Sequence, residues 1–184
     1  MELKGERMLP ADRDTAWKAL NEVEVLKRCV PGCESITPIG ENEYEVVMTA
    51  AIGPVKSRFK GKMQLADIQP PRAYTLKFDG SGGAAGFARG EAKVELIEVS
   101  PQQTKLVYVA NAQVGGKLAQ VGSRLIDAAS GAMADKFFEA FAAQLAGRVS
   151  PLIDDAQLPP APPQATIGFW SLLKAFLKRL FGGK

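Results

Sequence analysis

Few side chains in this sequence could do covalent or metal chemistry. The chain contains no histidine, so the most frequent general base and metal ligand is missing. Its two cysteines, Cys29 and Cys33, stand in the segment CVPGC. A structural zinc site usually needs four nitrogen or sulfur ligands, so this pair alone predicts none. The two cysteines could form a disulfide, but their setting around a Pro-Gly turn favours reduced thiols.

Carboxylates are the other candidates for catalysis. Most of them fall at polar positions of predicted strands or helix, where a solvated face is their expected role: Asp67, Asp79, Glu91, Glu95, Asp127 and Asp135. We find no Ser-His-Asp or Cys-His set and no HExxH motif. The glycine-rich segment SGGAAGFARG (81–90) lies between strands and does not open a helix, which argues against a phosphate site. The sequence therefore predicts no catalytic residue, no metal site and a protein that is not an enzyme.

The periodicity of the apolar residues predicts an α+β fold. A short strand at 3–9 is followed by two short helices, the first with Asp12 or Asp14 as its N-cap. Six segments between residues 34 and 114 alternate apolar and polar side chains, as antiparallel strands with one solvated face do. Residues 117–149 then repeat apolar residues every three or four positions, which predicts one long helix. A curved antiparallel sheet around a long C-terminal helix is a helix-grip arrangement.

The predicted inner face of this sheet carries unusually small side chains. They lie on the later strands and on the facing helix: Gly61, Ala88, Gly90, Ala92, Ala110, Ala112, Gly122, Ala128, Ala129, Gly131 and Ala132. Because protein interiors are densely packed, two alternatives follow. Either the helix lies very close to the sheet, or a hydrophobic cavity remains between them.

A cavity of this kind would suit a flat or flexible apolar ligand with few polar anchors. Its predicted lining is apolar, aromatic and rich in methionine: Tyr44, Met48, Phe59, Met63, Leu76, Phe78, Tyr108, Ala110, Leu125, Ala129, Met133 and Phe137. We expect a ligand's head group near Tyr108, Phe78, Met133 and Phe137, and the mouth at the Gly53–Pro54 turn and the PGC loop.

The charge distribution bears on partners. The formal net charge is +3, and the C-terminal tail alone contains four basic residues and no acid: Lys174, Lys178, Arg179 and Lys184. The body is therefore close to neutral and carries no basic stripe, so no nucleic-acid partner is predicted. The N-terminal segment MELKGERML has no apolar core like that of a secretory signal, which predicts a cytoplasmic protein.

The tail, IGFWSLLKAFLKRLFGGK (167–184), follows a proline-rich segment and has the pattern of an amphipathic helix. On a helical wheel its apolar residues fill one half, while Ser171, Lys174, Ala175 and Lys178 fill the other. Such a helix is too short and too charged to span a bilayer but suits the membrane interface. The alternatives are a groove on a partner protein and docking onto its own domain. The predicted membrane-binding residues are Phe169, Trp170, Leu173, Lys174, Phe176, Leu177, Lys178, Arg179, Leu180 and Phe181.

Three parts are therefore predicted. They are a ligand-binding helix-grip domain at 1–150, a proline-rich linker at 151–166 and an amphipathic membrane-binding helix at 167–184.

Four segments carry a family resemblance: LKRCVPGCESI (26–36), residues 50–82, GFARGEAKVEL (86–96) and VGGKLAQVGSRLI (114–126). They resemble the CoxG family, named for the G subunit of carbon monoxide dehydrogenase, within the START/Bet v 1-like superfamily. The resemblance covers about residues 1–150 and implies a helix-grip fold with a hydrophobic cavity. It also implies an accessory role beside a molybdenum-containing carbon monoxide dehydrogenase or a related hydroxylase.

The implied tasks are to recruit that enzyme to the inner face of the cytoplasmic membrane and to handle its respiratory quinone, menaquinone or ubiquinone. No covalent cofactor is expected, and no motif for molybdenum cofactor, iron–sulfur clusters or flavin is recognisable. Two alternatives remain: a membrane tether or assembly factor without a ligand, and an enzyme of the cyclase or hydratase kind. The lack of histidine and of a convergent acid–base pair counts against the enzyme.

Overall fold

The computed structural model describes residues 1–148 as a seven-stranded antiparallel sheet packed against helices on one face. The strands are β1 (Glu2–Leu9), β2 (Cys33–Gly40), β3 (Glu43–Ile52), β4 (Val55–Gln69), β5 (Ala73–Ser81), β6 (Phe87–Ser100) and β7 (Gln103–Gly115). The helices are α1 (Arg13–Leu20), α2 (Val23–Cys29), α3 (Lys117–Gln120) and α4 (Ser123–Ala146), and a 3-10 turn covers Gly83–Ala85. The predicted linker and the predicted membrane-binding helix lie outside the described residues.

The strand order is β1-β7-β6-β5-β4-β3-β2, so only β1 is out of sequence order. Each of the six pairs is antiparallel. Strands β2 to β7 follow one another as hairpins, and β1 returns to the far edge beside β7. The predicted α+β helix-grip arrangement is confirmed.

Helix α1 begins where its sequence predicts. Asp12 has extended backbone angles, and its Oδ1 accepts a hydrogen bond of 2.9 Å from the backbone N–H of Thr15. This bond favours the ionised carboxylate and lowers the pKa of Asp12. Of the two candidate N-caps, the structure selects Asp12, and Asp14 lies in the first turn, where the helix dipole favours an acid.

The predicted long helix is not continuous, which corrects the sequence-based prediction. Helix α3 ends at Gln120, and α4 begins only at Ser123. Between them Gly122 has φ of +91°, a value that residues with a Cβ rarely adopt. The apolar repeat runs through this break, so periodicity alone did not reveal it. Because of this break, α3 packs beside β7 and the axis of α4 need not continue that of α3.

The core closes one end of the inner face, the face of the sheet that meets the helices. Its central side chains are at most 1% exposed: Leu9, Leu96, Leu106, Phe141 and Leu145. Helices α1 and α2 pack here against the second half of α4. The buried Thr104 hydroxyl donates a hydrogen bond of 2.9 Å to the Ala11 carbonyl and so joins β7 to the start of α1. This end of the fold is a conventional hydrophobic core.

Candidate functional site

The strand register brings the predicted lining residues into rows on the inner face. Tyr44 pairs with Met63, which pairs in turn with Phe78. Residues that lie directly opposite in a sheet point to the same face, so the three side chains stand side by side. Met48 pairs with Phe59 in the same way. We call the region lined by these five residues the open half of the inner face.

The open half differs from the core in its burial. All five side chains are half-buried, whereas the core residues beyond them are almost completely buried. The row that borders this region consists of Leu76, Ala92 and Ala110, and it is half-buried as well. Large apolar side chains that face the inside of a fold without being covered leave contact surface for another apolar molecule.

Tyr108 and Phe137 lie at the boundary between the core and the open half. Tyr108 is 8% exposed, and its ring stacks on Phe138 with a centroid distance of 5.3 Å. Phe137 stacks on the fully buried Phe141 at 5.7 Å. The Tyr108 hydroxyl stands over Gly5, where a Cβ would lie 2.7 Å from it. These aromatic rings form a wall that separates the core from the open half.

The guanidinium of Arg7, on β1, contacts this aromatic wall. Arg7 lies in the inward register of β1 together with Leu3, Gly5 and Leu9. Its guanidinium makes an ion pair with Asp135 of α4 and stands 5.5 Å from the centre of the Phe138 ring. Arg7 and Phe138 were not among the predicted lining residues. The signal for Arg7 was a charged residue among inward apolar positions of a strand.

Helix α4 covers the open half only in part. Ala129 and Met133 are half-buried, while Leu125 in the first turn is 48% exposed. A Cβ placed on Gly131 would meet no atom within 4 Å. Leu125 reaches the turn between β3 and β4, where its Cδ1 lies 3.5 Å from the Cβ position of Gly53. The helix therefore reaches across to the β3–β4 turn, and open space lies beside it.

Two of the small inner-face residues have a reason unrelated to a ligand. A Cβ on Gly61 would overlap the Asp79 carbonyl, and one on Gly90 would overlap the Asn111 carbonyl. Both obstacles are backbone atoms of the neighbouring strand. These two glycines therefore permit a close approach of strands in a curved sheet. The alanines at 88, 92, 110 and 112 are the small residues that remain consistent with space for a ligand.

The described residues offer little reactivity. Cys29 is buried, Cys33 is half-buried, and both are free thiols. Burial raises the pKa of each thiol, which keeps both protonated at neutral pH and weakly nucleophilic. Burial likewise raises the pKa of the Tyr74 hydroxyl. No cluster of three or more potential metal-ligating Cys, Asp or Glu side chains occurs within residues 1–148.

Glu34 is an acid of the surface whose pKa is lowered. It accepts hydrogen bonds from Arg58 at 2.7 Å and from the Thr49 hydroxyl at 2.8 Å, and these bonds lower its pKa. Both partners are on the outer side of the β3–β4 hairpin, so Glu34 is not directed at the open half.

Among the helices of residues 1–148, none combines the length and the apolar character that crossing a bilayer requires.

Comparison with known proteins agrees with this architecture. The sequence model of the CoxG family, described as the G subunit of carbon monoxide dehydrogenase, matches residues 5–146. No curated protein gives a significant sequence match.

Among solved structures, a conserved protein from Geobacillus kaustophilus is similar with a TM-score of 0.76 and 29% identity, over 80% of this chain and 96% of that one. The Zhui aromatase/cyclase from Streptomyces sp. R1128 is similar with a TM-score of 0.63 and 11% identity, over 82% of this chain and 96% of its own. A START superfamily protein from Mycobacterium smegmatis gives a TM-score of 0.63 and 8% identity, over 80% and 98% respectively. At such low identities the last two show a shared fold alone.

Proposed function

The chain belongs to the CoxG family of carbon monoxide dehydrogenase, and on this premise we propose that it is a non-catalytic accessory protein that binds an apolar ligand. The ligand is a respiratory quinone, menaquinone or ubiquinone, held on the open half of the inner face. The partner is a molybdenum-containing carbon monoxide dehydrogenase or a related hydroxylase. The tail attaches the protein to the inner face of the cytoplasmic membrane, where the electrons reach the quinone pool.

The observation that carries this proposal is the uneven burial of one continuous face. The core residues are at most 1% exposed, whereas Tyr44, Met63 and Phe78 on the same face are only half-buried. Single half-buried apolar side chains are common, but a contiguous row of large ones on one face is typical of a ligand groove or a binding surface. Their arrangement leaves apolar surface under α4 that a ligand would cover.

The chemistry of the lining suits a quinone. A quinone head group is flat and weakly polar, and its isoprenoid chain is long, flexible and apolar. Aromatic rings pack against flat groups, and methionine side chains adapt to irregular apolar shapes. Tyr44 and Tyr108 add hydroxyl groups that can donate to a quinone carbonyl. We place the head group against the aromatic wall at Tyr108, Phe78 and Phe137.

The second candidate is a membrane tether or assembly factor without a ligand. The tail by itself supports it, since a basic amphipathic helix needs no ligand to hold a protein on a membrane. An enzyme of the cyclase kind receives support only from the fold shared with the aromatase/cyclase. The protonated thiols and the absence of a metal-ligand cluster within residues 1–148 count against it.

The proposal is tested by identifying what the full chain carries. The protein is expressed in a host that makes quinone, purified and extracted with organic solvent, and the extract is measured by mass spectrometry and ultraviolet absorbance. We expect close to one quinone per chain. A protein that binds anionic vesicles but yields no lipid-soluble molecule would instead be a tether.

The tail is tested separately in the full chain by Leu173→Asp. This change places a charge in the centre of the predicted apolar half. The lost leucine costs about 2 kcal/mol and the added charge about 1 kcal/mol, so binding to anionic vesicles should weaken by about 150-fold. Vesicle sedimentation measures the loss.

Ala175→Asp is the matched control, because it adds the same charge on the predicted polar half. It reduces only the electrostatic attraction, by about fivefold or about 1 kcal/mol. Equal losses for the two variants would mean that the tail does not lie in the interface as an oriented helix.

A further inference from the structure

One end of the fold brings several connections together around the open half. The β3–β4 turn meets the first turn of α4 through Gly53 and Leu125. The 3-10 turn meets the end of β7, where a Cβ on Gly86 would lie 3.0 Å from the Gly116 Cα. Helix α3 packs against the same 3-10 turn. We call this end the mouth rim and define it as residues 53–56, 86–89, 115–118 and 124–125.

The mouth rim exposes large apolar side chains. Leu125 is 48% exposed and Phe87 is 38% exposed, and Pro54 is exposed as well. Leu125 lies on the first turn of α4, close to the β3–β4 turn that carries Pro54. Isolated exposed apolar residues are common. Leu125 and Pro54 lie where the open half ends, and Phe87, next to the inward Ala88, points to the outer face at the same end of the sheet.

The same rim carries an excess of positive charge. Lys56, Lys117 and Arg124 are exposed, and none of them takes part in an ion pair within residues 1–148. Arg89 hydrogen-bonds the neutral Gln113 side chain at 3.3 Å and lies 5.3 Å from the Phe87 ring. Arg89 makes no ion pair within residues 1–148, although Asp79 lies opposite it on β5.

Acids also lie near the rim, but none of them makes an ion pair with a rim cation within the described residues. Glu34 is bonded to Arg58, Asp79 lies opposite Arg89 on β5, and Asp127 follows Arg124 by three residues on α4. The opposite end of the fold carries charges of both signs, with Arg148 bonded to Glu22 and Arg13 paired with Glu98. Exposed lysines without an ion pair also occur away from the rim, at Lys18 and Lys93. At the mouth rim such cations lie next to exposed apolar residues in the chain, Lys56 close to Pro54 and Arg124 beside Leu125.

We propose that the mouth rim rests on an anionic lipid surface, with Leu125, Phe87 and Pro54 at the headgroup level and the cations against the lipid phosphates. Apolar side chains flanked by lysine and arginine are the pattern that favours such a surface. The open half then faces the bilayer, and an apolar ligand passes between them without crossing water. The route for the ligand rests on the proposed function, but the surface contact does not.

The contact is measured by hydrogen–deuterium exchange on the full chain, with and without vesicles of phosphatidylglycerol and phosphatidylcholine. We expect slower exchange in peptides that cover residues 53–56 and 117–125, and no change at the Ser100–Pro101 turn at the other end. Vesicles of phosphatidylcholine alone should give much less protection, because the cations then lack a partner.

Charge-reversal variants test whether the rim cations contact the lipid surface. Each basic residue near an anionic leaflet strengthens binding by about fivefold, so Lys56→Glu combined with Arg124→Glu should weaken vesicle binding by about 25-fold or more. The matched control combines Lys18→Glu with Lys93→Glu, two exposed lysines away from the rim that make no ion pair within the described residues. The control changes the net charge equally and should cost less than fivefold.

Three results would overturn the inference: protection confined to residues 167–184, equal losses in both double variants, or rim protection by the dehydrogenase but not by vesicles. The last would assign the rim to a protein partner. A chain that carries quinone but shows no rim protection retains the proposed function and loses this inference. If the chain carries no quinone but its rim is protected by vesicles, the surface contact is supported and the proposed quinone binding is not.

Discussion

Ala110→Phe is expected to abolish ligand binding while the protein remains folded. Ala110 pairs with Ala92 and Leu3, so its side chain points to the inner face at the border of the open half. A phenyl ring there occupies volume that we assign to the ligand. Quinone recovered per chain should fall at least about tenfold, the equivalent of about 1.4 kcal/mol in binding. Mass spectrometry of the extracted lipid measures it.

Val109→Phe is the matched control. Val109 is the adjacent residue on the same strand, faces the outer surface and is 37% exposed. It receives the same ring without reducing the volume of the open half, so ligand content should stay near that of the native chain.

A thermal measurement separates ligand loss from misfolding. A ligand at 100 times its Kd stabilises a protein by about 2.7 kcal/mol, so delipidation should lower the Tm of the native chain and leave that of the Ala110→Phe variant almost unchanged. A variant that still carries a full complement of quinone would show that the open half is not the site.

Gly90→Ala is expected to destabilise the fold strongly. The added Cβ would overlap the Asn111 carbonyl and lie 2.9 Å from the Ala112 Cα, and neither backbone atom can move without disturbing the β6–β7 pairing. Overpacking against atoms that cannot yield costs about 3 kcal/mol or more. The free energy of unfolding from urea denaturation measures the loss, which also affects the site because Gly90 lies beside Phe78.

Gly131→Ala provides the contrasting result. Gly131 lies within α4, and a Cβ there meets nothing within 4 Å. Alanine in place of a helical glycine should raise the free energy of unfolding by about 0.5–1 kcal/mol. If both variants were as stable as the native chain, the close approach of β6 and β7 at Gly90 would be wrong.

The sequence alone determined the fold class, the order of the seven strands and the two short helices after β1. Strict alternation from Glu43 to Gly115 predicts antiparallel strands because one face of each strand is solvated. The sequence limited the N-cap of α1 to Asp12 or Asp14, because an aspartate side chain can satisfy a free N–H of the first helical turn, and the structure selects Asp12. The family resemblance also came from the sequence, since the four segments that carry it are local.

Other features were decided only by tertiary contacts. The break at Gly122 leaves the apolar repeat intact, so it is visible only in the backbone angles. From the sequence, Gly61 and Gly90 were interpreted as small residues that leave space for a ligand. The structure shows that they are small because the backbone of a neighbouring strand lies too close for a Cβ. Periodicity assigns a side chain to a face but does not say what lies opposite it.

The candidate site shows the same division. Alternation placed Tyr44, Met63, Phe78 and Tyr108 on one face, and the register confirms that shared face. That Tyr108 is buried against Phe138 while Tyr44 stays half-buried depends on where α4 crosses the sheet. Burial is a property of packing between distant segments, so the sequence determined which residues face inward and the tertiary structure decided which of them remain uncovered.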